Sequence, residues 1–147
     1  GFTKPDRVTM IHEGQYKDSL ISARSAMEYK VETNGAHEGE SPMSLEIGEG
    51  QLEQADVLKE LKDGIYLNNL WYLNFSDRPA CRVTGMTRFA SFWVENGQIA
   101  YPVHEITIAG NLKDMFMGIE AIGADVYNMG AKSIGSVLVN RMKVAGS

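Results

Sequence analysis

The chain has 147 residues, 44% of them hydrophobic and 22% charged, which is enough for one globular domain over residues 1–147 with an apolar core. A net charge of -5 without any cluster of lysine and arginine argues against phosphate-mediated nucleic-acid binding. No apolar run is long enough to span a bilayer and no charged-then-apolar leader is present, and a lone cysteine, Cys81, fits a reducing cytoplasm.

In chain order, RVTMIHEGQYKDSL (7–20) reads as strand, turn, strand: Val8 and Met10 alternate with Thr9, and the His12-Glu13-Gly14 corner sends the chain back. Ser19 to about Tyr29 reads as a short helix with Leu20, Ala23 and Met27 on one side and Ser19 as its N-cap. VETNGAHEGESPMS (31–44) is rich in Gly, Ser, Asn, Glu and Pro, so it is expected to be an exposed loop and the segment most prone to disorder. SLEIGEG (44–50) is a brief strand. QLEQADVLKELKDG (51–64) then places Leu52, Ala55, Leu58 and Leu61 at helical spacing, with Gly64 as a left-handed cap.

IYLNNLWYLNF (65–75) carries apolar residues on both faces and predicts a central strand. TRFASFWVENGQIAYPVHEITI (87–108) pairs two aromatic-rich runs around Asn96-Gly97, whose positive φ angles suit a type I′ turn. Pro102 lacks a backbone donor, so it belongs at an edge, a bulge or solvent. In GNLKDMFMGIEAIG (110–123), Asn111 is the N-cap, Leu112, Met115, Phe116, Ile119 and Ile122 form the stripe, and Gly123 ends the helix. GSVLVNRMKVAG (135–146) reads as a closing strand with Val137, Val139 and Arg141 on one face. The whole is α+β, a largely antiparallel, barrel-like core with about three short helices. MIHEGQY and WVENGQI echo each other as two hairpins built alike.

The three histidines, His12, His37 and His104, are each followed by glutamate, the opening of a zinc-peptidase helix. Four residues on stand Tyr16, Ser41 and Ile108, none of them a ligand, so the pairs read as turn or surface positions. No G-x-S-x-G elbow occurs, and GAKSIGS (130–136) lacks the order of a phosphate loop. Cys81 lies between Arg78 and Arg82 with no nearby base and reads as packed or incidental. Trp71 and Trp93 read as core aromatics. SDRPACRVTGMTR (76–88) holds three arginines and two threonines between hydrophobic strands. It reads either as a ligand-contacting loop and strand, or as a β-bulge at Gly85 with solvated arginines.

VTGMTRFASFWVENGQIAYPV (83–103), followed by the Asn-capped GNLKDMFMGIEAIGAD (110–125), resembles the C-terminal part of the TldD/PmbA family, also called modulator of DNA gyrase. The matching residues are Thr84-Gly85, Thr87-Arg88, Val94 to Gly97, Ile99 and Pro102-Val103. RVTMIHEGQYKDSLISARSA (7–26) is similar to that family's strand, E-x-G turn and following helix. The resemblance implies the C-terminal domain of a longer zinc-dependent peptidase or of its partner subunit. An H-E-x-x-x-H helix would lie outside this segment, because Lys17, Pro42 and Ala109 stand where its second histidine is needed. A ligand cysteine near the C-terminal Gly-rich turn is also missing from NMGAKSIGSV (128–137). The resemblance further implies zinc in the full-length protein or its partner rather than here, a peptide or unfolded-protein substrate and a homo- or hetero-dimer, while the lone cysteine, the acidic charge and the short apolar runs point to a cytoplasmic setting with neither nucleic acid nor membrane as partner. Within that picture Thr84, Thr87 and Arg88 are the cavity-facing residues, with Arg88 suited to a substrate carboxylate or carbonyl.

Overall fold

The computed structural model describes residues 4–128, 130, 132–140 and 142–146. The chain divides into two units at Leu45 and Glu46.

In the first unit, β1 (Ile11–His12) pairs antiparallel with β2 (Gln15–Tyr16). The corner between them is left-handed at both central residues, Glu13 at φ 50° and Gly14 at φ 73°. Helix α1 (Ala23–Tyr29) starts later than its sequence pattern suggests. Its cap is Ser22, whose Oγ accepts from the Ser25 amide at 3.2 Å, while the Ser19 hydroxyl bonds Tyr16 Oη at 2.8 Å. The polar segment 31–44 is held by side chains that satisfy the backbone leading into α1. Asn34 Oδ1 accepts from the Ile21 amide, Thr33 Oγ1 donates to the Ile21 carbonyl, and Glu40 Oε1 accepts from the Ser22 amide at 2.8 Å. The residue types that made this stretch look disordered are those whose short polar side chains bond nearby backbone. A brief strand, β3 (Leu45–Glu46), falls at the junction of the units.

The second unit opens with a 3-10 turn (Gln54–Asp56) running into α2 (Val57–Leu61). The left-handed residue that closes α2 is Lys62, at φ 59°, whose amide donates to Leu58 O. Gly64 instead begins β4 (Gly64–Leu67). The expected central strand is therefore two strands: the chain breaks at Asn68-Asn69 and resumes as β5 (Leu70–Asp77) in a different sheet. Then come β6 (Arg82–Thr87), β7 (Ser91–Glu95), β8 (Gln98–Pro102) and β9 (Ile106–Asn111). The hairpin β7–β8 turns at Asn96 (φ 49°) and Gly97 (φ 73°), as its sequence predicts, and Pro102 lies on the edge strand β8.

Helix α3 (Leu112–Met117) is capped by Asn111, whose Oδ1 accepts from the Lys113 amide at 2.9 Å. It stops at Gly118, so Ile119 and Ile122 belong to β10 (Ile119–Ile122) and not to a helical stripe. The remaining strands are β11 (Tyr127–Asn128), β12 (Lys132–Ile134), β13 (Val137–Val139) and β14 (Lys143–Gly146). The predicted closing strand is thus divided between β13, which pairs with β10, and β14, which pairs with β9. Arg141, placed on that strand from sequence, lies outside the described residues.

The ladders are antiparallel, giving sheets ordered β4-β7-β8 and β14-β9-β6-β5, with β10-β13 and β11-β12 beside them. The α+β class with three short helices holds, while the sheets remain open, with edges at β5 and β8 where a barrel would close. The buried apolar residues among those described are Val83, Val94 and Ile108. Accessible surface totals 11291 Å². Two separate compact bodies of these sizes would expose only roughly 9,000 Å² by the mass scaling of folded proteins. The core is therefore thinner, and the exposed apolar surface larger, than the composition suggests.

Candidate functional site

Strand β5 carries the longest run of exposed large apolar residues among those described. Leu70, Trp71, Tyr72, Leu73 and Phe75 are all exposed, Trp71 by 42% and Tyr72 by 69%. The strand borders only β6, and the pairing slips: Trp71 faces Met86, but Asn74 faces Thr84, so Tyr72 and Leu73 together oppose Gly85. This is a β-bulge, and it sits on β5 across from the glycine. Tyr72 takes the extra residue's turn at φ 50°. A Cβ on Gly85 would stand 3.0 Å from Leu73 Cδ1 and 3.3 Å from Trp71 O, so the glycine is what lets the bulged strand lie close.

The bulge swings the aromatic residues toward the link that leaves β6. That link begins at Arg88, whose amide donates to Asn69 O at 3.3 Å, and turns at Phe89 with φ 65°. A left-handed conformation costs a non-glycine residue about 1–2 kcal/mol, and here two aromatic residues carry it within one small region. The Arg88 guanidinium lies 5.0 Å from the Trp71 ring centre and 5.5 Å from that of Phe89. Cation–π contacts of this kind hold the guanidinium near the rings without using its N–H donors.

Trp71, Tyr72, Met86, Thr87, Arg88 and Glu105 line a hollow of about 230 Å³. Among the described residues, neither Arg88 nor Glu105 makes an ion pair. The hollow thus presents one cation and one anion, each available, above an aromatic and thioether floor. Two buried polar atoms on the bracketing segments, Asn69 Oδ1 and Ser91 Oγ, have no hydrogen-bond partner among the described residues.

Of the residues singled out from sequence, Arg88 and Thr87 both border this hollow. Thr87 is 1% exposed, and its Oγ1 accepts from the Ile106 amide at 3.0 Å, tying β6 to β9. Thr84 lies elsewhere on β6, opposite Asn74 and Ala109. Trp71 was expected in the core and instead walls the hollow, because β5 has no strand beyond it. Trp71, Tyr72, Met86 and Glu105 had no sequence signal as a group, since only the slipped register brings them together.

No group of three or more His, Cys, Asp or Glu is placed to hold a metal among the described residues. Cys81 is exposed in the turn before β6. No described helix is long and apolar enough to cross a membrane.

Residues 3–146 match the family described as PmbA/TldA metallopeptidase C-terminal domain. The chain belongs to that family. It is 37% identical over 143 residues to Metalloprotease PmbA of Escherichia coli O157:H7, covering 97% of this chain and 31% of that protein. It is also similar to a crystal structure from Thermotoga maritima named for modulation of a DNA gyrase, with a TM-score of 0.77, 28% identity, and coverage of 92% of this chain and 32% of that one. A similarly named structure from Bacteroides thetaiotaomicron shares the fold, with a TM-score of 0.81 at 18% identity over 97% of this chain and 31% of that one. The PmbA/TldA domain described here spans about a third of the length of the relatives it matches. The family carries metallopeptidase in its name, and the His, Cys, Asp and Glu side chains among the described residues do not converge into a group of three.

Proposed function

We propose that this PmbA/TldD-type domain forms part of a peptide-binding cavity wall and of a subunit interface in a longer, cytoplasmic metallopeptidase. The observation that carries the reading is the bulged edge strand β5. Five large apolar side chains in six residues stand exposed there, beside a stacked arginine and a small hollow. Single exposed apolar residues are ordinary, but a continuous patch of them is the signature of a surface that something covers. An unpaired strand edge offers backbone donors and acceptors to an extended peptide, and the hollow offers one side chain a place. The zinc, its ligands and the glutamate that activates its water would come from the rest of the parent protein or from its partner chain, homo- or heterodimeric. The described residues contribute shape and charge.

Arg88→Ala in the intact protein is expected to lower peptide turnover while leaving the melting temperature within a degree or so, as for an exposed side chain outside a cap or core. Early melting with normal turnover would make Arg88 structural and remove the hollow from the site.

A second reading keeps the cavity but takes away the activity: a PmbA-like partner or interaction domain with no metal chemistry of its own. It is favoured by the acidic, thiol and imidazole side chains, which are scattered instead of clustered among the described residues. Zinc analysis of the intact protein separates the two, with stoichiometric metal supporting the peptidase and none supporting the partner.

A further inference from the structure

We propose that the hollow at Arg88 is a subsite for the last residue of a peptide, in which Arg88 takes the free α-carboxylate and Trp71, Tyr72 and Met86 take the side chain. This rests on the peptide-wall reading above and adds to it the part of the substrate that is read. Three features of the hollow carry the inference.

The first is the state of the arginine. Its guanidinium carbon lies over the Trp71 ring at 5.0 Å and the Phe89 ring at 5.5 Å, so two aromatic contacts hold the cation at the hollow before any ligand arrives. What remains open is the N–H fork, whose two parallel donors match a carboxylate and have only one acceptor to meet on a neutral peptide carbonyl. With no carboxylate of the described chain paired to it, the fork is available. The second is size. About 230 Å³ lies below the roughly 300–1,000 Å³ of pockets that enclose larger ligands, so the hollow holds one residue and not a folded segment. The third is Glu105, which lines the same hollow without a cation of its own. Beside a bound carboxylate it accepts the last peptide N–H, and its charge opposes a second carboxylate, which selects apolar terminal residues over Asp or Glu. Both left-handed aromatic residues, Tyr72 and Phe89, belong to this arrangement, so the backbone is held in a sparsely populated conformation where the ligand would sit.

The test compares two hexapeptides of one sequence ending in Phe, one with a free C-terminal acid and one with a C-terminal amide. Both are labelled at the N-terminus, and binding to the intact protein is followed by fluorescence anisotropy with a metal chelator present to suppress hydrolysis. The free acid is expected to bind about tenfold or more tightly than the amide, the range for a charge-assisted contact. Arg88→Gln is expected to bring acid and amide to the same affinity, with an unaltered circular dichroism spectrum and melting temperature reporting that the variant is folded. Arg88→Lys retains the charge without the fork and should recover only part of the preference. Equal binding of acid and amide to the unaltered protein overturns the terminal-residue subsite and leaves the peptide wall standing. Binding of neither peptide overturns the peptide wall, and the subsite with it.

Discussion

Two glycines occupy the same position in two similar turns and do different work. Gly14 and Gly97 both follow a glutamate or asparagine at positive φ, and both sit at φ 73°. Around Gly14 a Cβ would meet nothing within 4 Å, whereas at Gly97 it would stand 3.0 Å from Lys59 Cα. The Gly97 turn is docked: its amide donates to Lys62 O at 2.8 Å, and the Asn96 amide donates to Asp63 Oδ1 at 2.9 Å. Gly14→Ala therefore carries only the conformational cost of about 1 kcal/mol, while Gly97→Ala adds a backbone clash and is expected to lose about 2–3 kcal/mol in urea denaturation. Equal losses would mean the hairpin tip is not held against α2. The left-handed turn at Asn96-Gly97 was legible in the sequence, as was a corner at His12-Glu13-Gly14. That only one is packed was not, because the contact with Lys59 joins residues 38 apart in sequence.

At the scale of elements, the segment from Thr33 to Glu40 acts as a detached cap for α1. Glu40 is held below the ordinary carboxylate value first by the Ser22 backbone N–H, then by the Ser25 and Ser22 hydroxyls, all of which favour the ionised form. The sign follows: a depressed folded value stabilises the tie at any pH above the unfolded value, and the contribution is lost as the pH falls through the lower folded one. Acidification below pH about 4.5 is thus expected to lower the amide protection factors, corrected for intrinsic exchange, at Ser22 and Ser25 before the second unit is affected. Glu40→Gln should show that loss of protection already at neutral pH, and unchanged protection in both cases would remove Glu40 as the tie. The other boundaries that moved share one cause. Local patterning extended α3 through Ile122 and ran residues 65–75 into a single strand, but sheet pairing takes Ile119 onto Val139 and sends β4 and β5 to different partners. Tertiary ladders outweigh local propensities of a few tenths of a kcal/mol per residue.

For the whole molecule, the excess surface makes a direct prediction. If the proposed cavity wall is correct, the 147-residue chain alone is expected to bind an apolar dye such as anilinonaphthalene sulfonate strongly and a longer protein that covers β5 to bind it weakly. Equal dye binding by both would show that the strand stays open in the parent and is not part of an enclosed cavity. The same surface explains why Trp71 was misplaced in a sequence reading. A strand apolar on both faces is the pattern of a buried central strand, and it is also the pattern of an edge strand made to be buried by something else.

Residue chemistry alone determined the left-handed turn at Asn96-Gly97, the Asn111 cap, the confinement of Pro102 to an edge, a bulge or solvent, the antiparallel α+β class and the family resemblance. Each depends on backbone φ, a missing donor or a nearby hydrogen bond, and such constraints act over a few residues. Only the tertiary structure decided that β5 is bulged and uncovered, that Trp71 and Phe89 both lie within 5.5 Å of the Arg88 guanidinium, and that Thr87 is committed to the Ile106 amide while Thr84 lies apart. These depend on strand register, and one slipped residue moves a side chain to the other face without changing any local preference.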